Sequence, residues 1–202
     1  MKIGILGGTF DPPHVGHLVL ADQALHQLGL DAVWFMPVGQ PPHKPNNHVT
    51  PAQHRVAMTE LAIADNPRFQ LTRVDVDRPP PHYTASALEL LHRRYPEHEW
   101  VFILGADALA DLPRWYHPEQ IVALAELAAA ERPDARLDLA ALERALPGLT
   151  RRLHWIRTPL MDVASSTLQQ IARNGGSLRY LVTPEVQAYI RTHRLYCEQP
   201  CD

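Results

Sequence analysis

Cysteine is nearly absent: Cys197 and Cys201 are the only two among 202 residues. Thiols spaced C-x-x-x-C form neither a disulfide framework nor a four-ligand zinc pattern, and they read as tail residues in a reducing compartment. Long apolar runs are missing too. No stretch reaches 18 apolar residues, which excludes a membrane-spanning helix on length. The opening Met1-Lys2-Ile3-Gly4-Ile5-Leu6-Gly7-Gly8 lacks the apolar length and cleavage site of a signal peptide, so a cytoplasmic protein is expected. Nor is there an excess of positive charge. The 19 basic and 22 acidic side chains leave a net charge of -3, without the basic field of a dedicated nucleic-acid binder. Internal repeats and low-complexity linkers are absent, and residues 1–202 are expected to form one domain, long enough to bury a core without staples. What is plentiful is histidine, with 12 residues, and proline, with 19.

Hydrophobic patterning predicts strands over 2–6, 32–36, 69–76, 100–104, 127–131 and 153–156. Between them, helical spacing of Leu18, Ala21, Leu25 and Leu28 predicts a helix closed by Gly29. Further helices are expected over 52–65, over 84–94 with Thr84 as cap, and from Ser165 toward Arg173. A polar helical insertion is expected over 134–146, and Thr183-Pro184-Glu185 opens a terminal helix. Strands alternating with helices imply parallel βαβ units, an α/β fold with a doubly wound, Rossmann-like parallel sheet and a small helical C-terminal extension. The alanines of 127–131 are poor strand formers and make that strand the weakest. Pro12-Pro13, Pro41-Pro42 and Pro79-Pro80-Pro81 all follow strands, at the carboxyl edge where open α/β sheets bind ligands.

One segment carries most of the chemistry: Gly7-Gly8-Thr9-Phe10-Asp11-Pro12-Pro13-His14-Val15-Gly16-His17, between the first strand and first helix. It is neither the dinucleotide fingerprint nor a Walker loop. Paired glycines let a backbone approach a bulky anion, and the helix start offers free N–H donors. His14 and His17 fall on one face of the first turn, with Gly16 between them removing a side chain that would crowd a phosphate. The competing reading is half a zinc site completed by His43, His48 or His54, although no carboxylate or cysteine stands beside it at ligand spacing.

This segment resembles the H-x-G-H signature of the nucleotidylyltransferase superfamily. Further pieces in order are similar to the family of bacterial nicotinate-nucleotide adenylyltransferases: Pro37 through Lys44, His82-Tyr83-Thr84, Gly105-Ala106-Asp107, Leu112-Pro113-Arg114-Trp115, Ser165-Ser166-Thr167 and Arg179-Tyr180-Leu181-Val182. The resemblance spans nearly the whole chain. It implies the nucleotidylyltransferase type of sheet, and ATP and nicotinate mononucleotide as substrates yielding deamido-NAD and pyrophosphate. It also implies Mg²⁺ carried on the ATP phosphates rather than in a protein metal site. His14 and His17 would be the catalytic pair. ATP would lie along Gly7, Gly8, Thr9, Phe10, Gly105, Ser165, Ser166 and Thr167. Lys44 would meet the mononucleotide phosphate and Asp107 the sugars. Trp115 would stack on the nicotinate ring, with Tyr83, Thr84 and Tyr116 shaping its pocket.

The chain departs from that pattern after Ser165-Ser166-Thr167, where the family's x-Ile-Arg is replaced by Leu168-Gln169-Gln170. Arg173, three residues beyond Gln170 on the same helix face, is the expected substitute on the triphosphate. Two other functions stay open at this stage: adenylyl transfer to another phosphate acceptor such as nicotinamide mononucleotide, and a nucleotide-binding regulator with weakened catalysis. No nucleic-acid or membrane partner is expected, and a homo-oligomer is left open.

Overall fold

The computed structural model describes residues 1–40, 49–131 and 137–197. Lys44, His43, His48, Pro41-Pro42, Arg132-Pro133 and Cys201 therefore lie outside the described residues.

Six strands run β1 Lys2–Gly8, β2 Ala32–Pro37, β3 Phe69–Leu71, β4 Glu99–Leu104, β5 Glu126–Ala130 and β6 Leu153–Ile156. They form one sheet in the order β3-β2-β1-β4-β5-β6, every neighbouring pair parallel. The period of two along each strand explains why the sheet is covered twice. On β4, Trp100, Phe102 and Leu104 enter one core while Val101 and Ile103 enter the other. The first core packs under α3 Thr84–Arg94, α4 Ala106–Asp111 and α5 Pro118–Leu124, joined by α6 Leu139–Ala145. The second packs under α1 Val15–Gln27, α2 Ala52–Ile63, α7 Ser165–Arg173 and α8 Pro184–Thr192. Each large side chain sealed in this way stabilises the fold by about 1.5–3 kcal/mol.

Two expectations are corrected. The strand expected over 69–76 stops at Leu71. There Thr72 N–H still donates to Phe35 O, but Asp77 N–H turns back to Arg73 O, and the chain coils into a turn that buries Asp75. The polar residue at Asp75 is a folding signal that apolar alternation does not register. Thr84 is the first residue of α3 and not its cap; Tyr83 holds the cap position, without a side-chain hydrogen bond. The alanines of β5 do form a strand. Ala128 and Ala129 are fully buried on opposite faces of the sheet, Ala129 in the core under α4 and α5 and Ala128 in the core on the other side, where small side chains let the layers approach. At the C-terminus, Thr183 caps α8 by accepting from Val186 N–H at 3.4 Å.

The strand order reverses between β1 and β4, which opens a crevice at their carboxyl ends. The turn leaving β1 and the start of α4 at Gly105 both lie at this edge.

Candidate active site

The turn from β1 into α1 is closely packed by its own side chains. Phe10 adopts φ 51°, a left-handed conformation costly for a bulky residue. Its ring is fully buried, edge-on to His17 at 5.0 Å between centroids. A Cβ on Gly8 would stand 2.9 Å from that ring, and one on Gly16 would stand 3.0 Å from His14 Nδ1. The glycines therefore make room first for the side chains that seat the histidines, a nearer reason than the space for an anion expected from the sequence.

His14 caps α1 with extended backbone, and its N–H donates to His17 Nδ1 at 3.2 Å. A backbone N–H can only donate, so His17 Nδ1 is the acceptor and the neutral ring carries its proton on Nε2. The two rings stack at 3.7 Å. Burial lowers the His14 pKa from 6.5 to about 4. Burial and the adjacent His14 push His17 well below its ordinary value. Both are neutral donors at pH 7, and His14 Nδ1 is buried with no hydrogen-bond partner among the described residues.

A stability prediction follows from the sign of these shifts. In the unfolded chain the rings bind protons below about pH 6.5, whereas the folded chain resists doing so until far lower pH. Stability is therefore present above pH 6.5 and is lost as the pH falls toward 4. His14 alone, lowered to about 4, should cost on the order of 2 kcal/mol between pH 6.5 and 5. Denaturant titrations in phosphate-free buffer should show this loss, and His14→Gln should flatten it. An unchanged slope in that variant would mean the His14 ring is not buried neutral.

Two cavities, each ≈ 620 Å³, meet at the histidine rings, which line both. The first is also lined by Gly7, Phe102, Gly105, Asp107 and Trp115, and by the segment after β6 from Thr158 to Val163. The second is lined by Thr9, Phe10, Asp11, Ser165, Ser166, Gln169 and Arg173. Trp115 is half-buried, edge-on to Phe102 at 6.2 Å, so it packs on the core and faces a cavity at once. Gly8, Thr167, Tyr83, Thr84 and Tyr116 line neither cavity, and the Tyr83 and Tyr116 rings stack on each other at 4.1 Å. Arg173 is exposed, with its guanidinium 3.4 Å from Gln169 Oε1. Gln170 does not line the second cavity.

Helix α7 is tied to the turn directly. Ser165 Oγ donates to Pro12 O at 2.8 Å and Gln169 Nε2 donates to Asp11 O at 2.7 Å. Among the described residues no three of His, Cys, Asp or Glu come together as metal ligands. His54, one candidate for a zinc set, is engaged by Tyr189 Oη at 3.0 Å.

Sequence reasoning missed Arg55. It is 1% exposed and donates to four carbonyls: Thr50 at 2.9 Å, Thr9 at 2.8 Å, Val38 at 2.7 Å and Gly39 at 2.6 Å. Burial lowers its pKa, opposed by the charges of Asp11 and Asp75. The signal was available: Arg55, Thr59 and Ala62 share the buried stripe of α2 at helical spacing. Asp75 was missed with it. It accepts from Gly39 N–H at 2.8 Å and pairs with Arg78 at 2.6 Å, while Arg78 also donates to Tyr83 O at 3.0 Å. The segment after β2 and the start of α3 are thus bound into one frame.

Residues 5–170 match the cytidylyltransferase-like family. The chain is 46% identical over 194 residues to a protein of Roseiflexus sp. (strain RS-1) named a probable nicotinate-nucleotide adenylyltransferase, covering 96% of this chain and 97% of that one. It is 43% identical to one of the same name from Thermomicrobium roseum, over 96% and 91% of the two chains. Among solved structures, the Plasmodium falciparum nicotinic acid mononucleotide adenylyltransferase complexed with NaAD superposes with a TM-score of 0.78 at 19% identity, over 96% and 97% of the chains. At that identity the likeness bears on the fold alone.

Proposed function

Because the chain belongs to the cytidylyltransferase-like family and, within it, to the nicotinate-nucleotide adenylyltransferases, we propose that it transfers the adenylyl group of ATP to nicotinate mononucleotide, giving deamido-NAD and pyrophosphate. The observation that carries this reading is the stacked, neutral His14–His17 pair standing where two cavities meet at the sheet's carboxyl edge.

In the reaction a phosphate oxygen of the mononucleotide attacks the α-phosphorus of ATP, and the bond to the bridging oxygen of pyrophosphate breaks. The nucleophile is already an anion, so no strong base is needed; the work is alignment and stabilisation of charge. His17 donates from Nε2 to the α-phosphate oxygens while its Nδ1 keeps the helix start closed. His14 adds a second ring donor and the start of α1 adds its positive dipole end. The first cavity, with Gly105 and Asp107 at its wall, suits a nucleoside. The second, with Ser166 and Arg173, suits the departing pyrophosphate.

Among the described residues Asp11 is the one carboxylate lining the second cavity, and both its oxygens are occupied, by Tyr196 Oη at 2.6 Å and Thr50 N–H at 3.0 Å. That donor set fits a magnesium ion that arrives on ATP, held by phosphate oxygens and water. Bound there, it would neutralise charge on the leaving group. A cytoplasmic site of action accords with this use of ATP.

Pyrophosphate release with ATP and nicotinate mononucleotide, set against nicotinamide mononucleotide, tests the reading. Release well above background, favouring the acid, is expected. Its absence with both acceptors would overturn the assignment. Arg173 gives a sharper test of the triphosphate grip. Arg173→Gln should raise the ATP KM or lower turnover by about tenfold, the scale of one charge-assisted hydrogen bond. Affinity for deamido-NAD, which has no triphosphate tail, should hardly change. Parental ATP kinetics in that variant would leave the tail to neutral groups and magnesium.

A further inference from the structure

After α8 the chain doubles back on itself. Arg194 and Tyr196 take left-handed φ values of 49° and 65°, and Leu195 N–H donates to Ile190 O at 3.0 Å. This return packs Leu195 and Tyr196 onto the core beneath α1 and α2. It brings the Tyr196 hydroxyl to 2.6 Å from Asp11 Oδ1, a contact across 185 residues of sequence.

Asp11 is 4% exposed and sits in the turn between Phe10 and His14. That turn lies outside the sheet ladder, and strain at Phe10 means it must be held from outside. Its backbone is held by Arg55 at Thr9 O, Gln169 at Asp11 O and Ser165 at Pro12 O, and by Val15 N–H on Leu181 O at 3.0 Å. Its one buried carboxylate takes two donors, Thr50 N–H and the Tyr196 hydroxyl. The phenol is the one that can be removed by changing a side chain. Burial and the charge of Asp11 raise the Tyr196 pKa, so the hydroxyl remains a donor at working pH.

We propose that Tyr196 is a positioning residue for adenylyl transfer: its hydroxyl fixes Asp11, and through Asp11 the turn that presents His14 and His17. The proposal rests on the adenylyl-transfer reading of the site. Tyr196 touches no reacting atom in this scheme. Its effect belongs to turnover, because displacing reacting groups by even about 1 Å can cost on the order of 10²-fold.

Three variants test it in the full chain once the parent has been shown to release pyrophosphate; a silent parent would defeat the functional reading and not this inference. Tyr196→Phe should lower kcat roughly tenfold, with both KM values within about twofold. Tyr189→Phe is the control. It removes the hydroxyl bonded to His54 at 3.0 Å in the same α8–α2 packing and makes no contact with Asp11, so kcat should stay parental. In an Asp11→Ala background, where the phenol has no carboxylate to hold, Tyr196→Phe should cost less than about twofold, because the two act as one unit. The histidine ring proton resonances should move in Tyr196→Phe and not in Tyr189→Phe. Parental kcat in Tyr196→Phe, equal losses in the two phenylalanine variants, or an undiminished loss in the Asp11→Ala background would each overturn the proposal.

Discussion

Replacing His17 with alanine should reduce kcat by roughly 10²–10³-fold, the scale on which a single preorganised donor to transition-state charge acts. The ring does two jobs, and a second variant separates them. Nδ1 accepts the His14 N–H at 3.2 Å and closes the first turn of α1, while Nε2 is left as the donor. Asparagine can offer an oxygen where Nδ1 stands but has no group reaching as far as Nε2. His17→Asn should therefore keep a near-parental Tm and still lose about two orders of magnitude in kcat. His17→Ala should be equally slow and modestly less stable, because it leaves the His14 N–H without its acceptor and Phe10 without its edge contact. The measurement is steady-state turnover at saturating ATP and mononucleotide beside a thermal melt. If His17→Asn turned over at more than a tenth of the parental rate, the Nε2 donor would have no such role.

Much of this site was legible in the sequence because its residues are consecutive. Thr9 through His17 form one turn, and helical spacing alone stacks His14 over His17. The doubly wound sheet was legible for a similar reason: its central strands β1, β2 and β4 are local apolar runs closed by Gly7-Gly8, Pro37 and Gly105. What escaped was non-local or polar. Asp75 ends the third strand because it accepts from Gly39, 36 residues earlier, a partner no window of the sequence contains. Arg55 escaped because the carbonyls it bridges, on Thr9, Val38, Gly39 and Thr50, come from segments far apart in sequence. Two glycines of the segment meet a nearer neighbour than the anion expected from the sequence. Gly8 leaves room for the Phe10 ring and Gly16 for the His14 ring.

Arg55→Ala should be the most damaging single change to the fold. The guanidinium fills a buried site among carbonyls from three separate segments: Thr9 before the histidine turn, Val38 and Gly39 after β2, and Thr50 before α2. Each buried carbonyl left unpaired costs about 1–3 kcal/mol. Water entering the vacated space recovers part of that, so a loss of about 4 kcal/mol is expected. For a chain of this size the melting temperature should fall by roughly 10 °C. Lysine is no equivalent, because a compact ammonium cannot span carbonyls on three segments as a planar fork does. Arg55→Lys should recover less than half of the loss. The functional effect should reach both ends of the proposed site: Thr9 leads into the turn bearing His14 and His17, and Gly39 leads toward the segment containing Lys44. Below the lowered melting point, Arg55→Lys should show a raised mononucleotide KM together with reduced kcat. A lysine variant with parental Tm and KM would mean that the loops hold their positions without the fork, and the frame around the site would have to be sought in Asp75 and Arg78 instead.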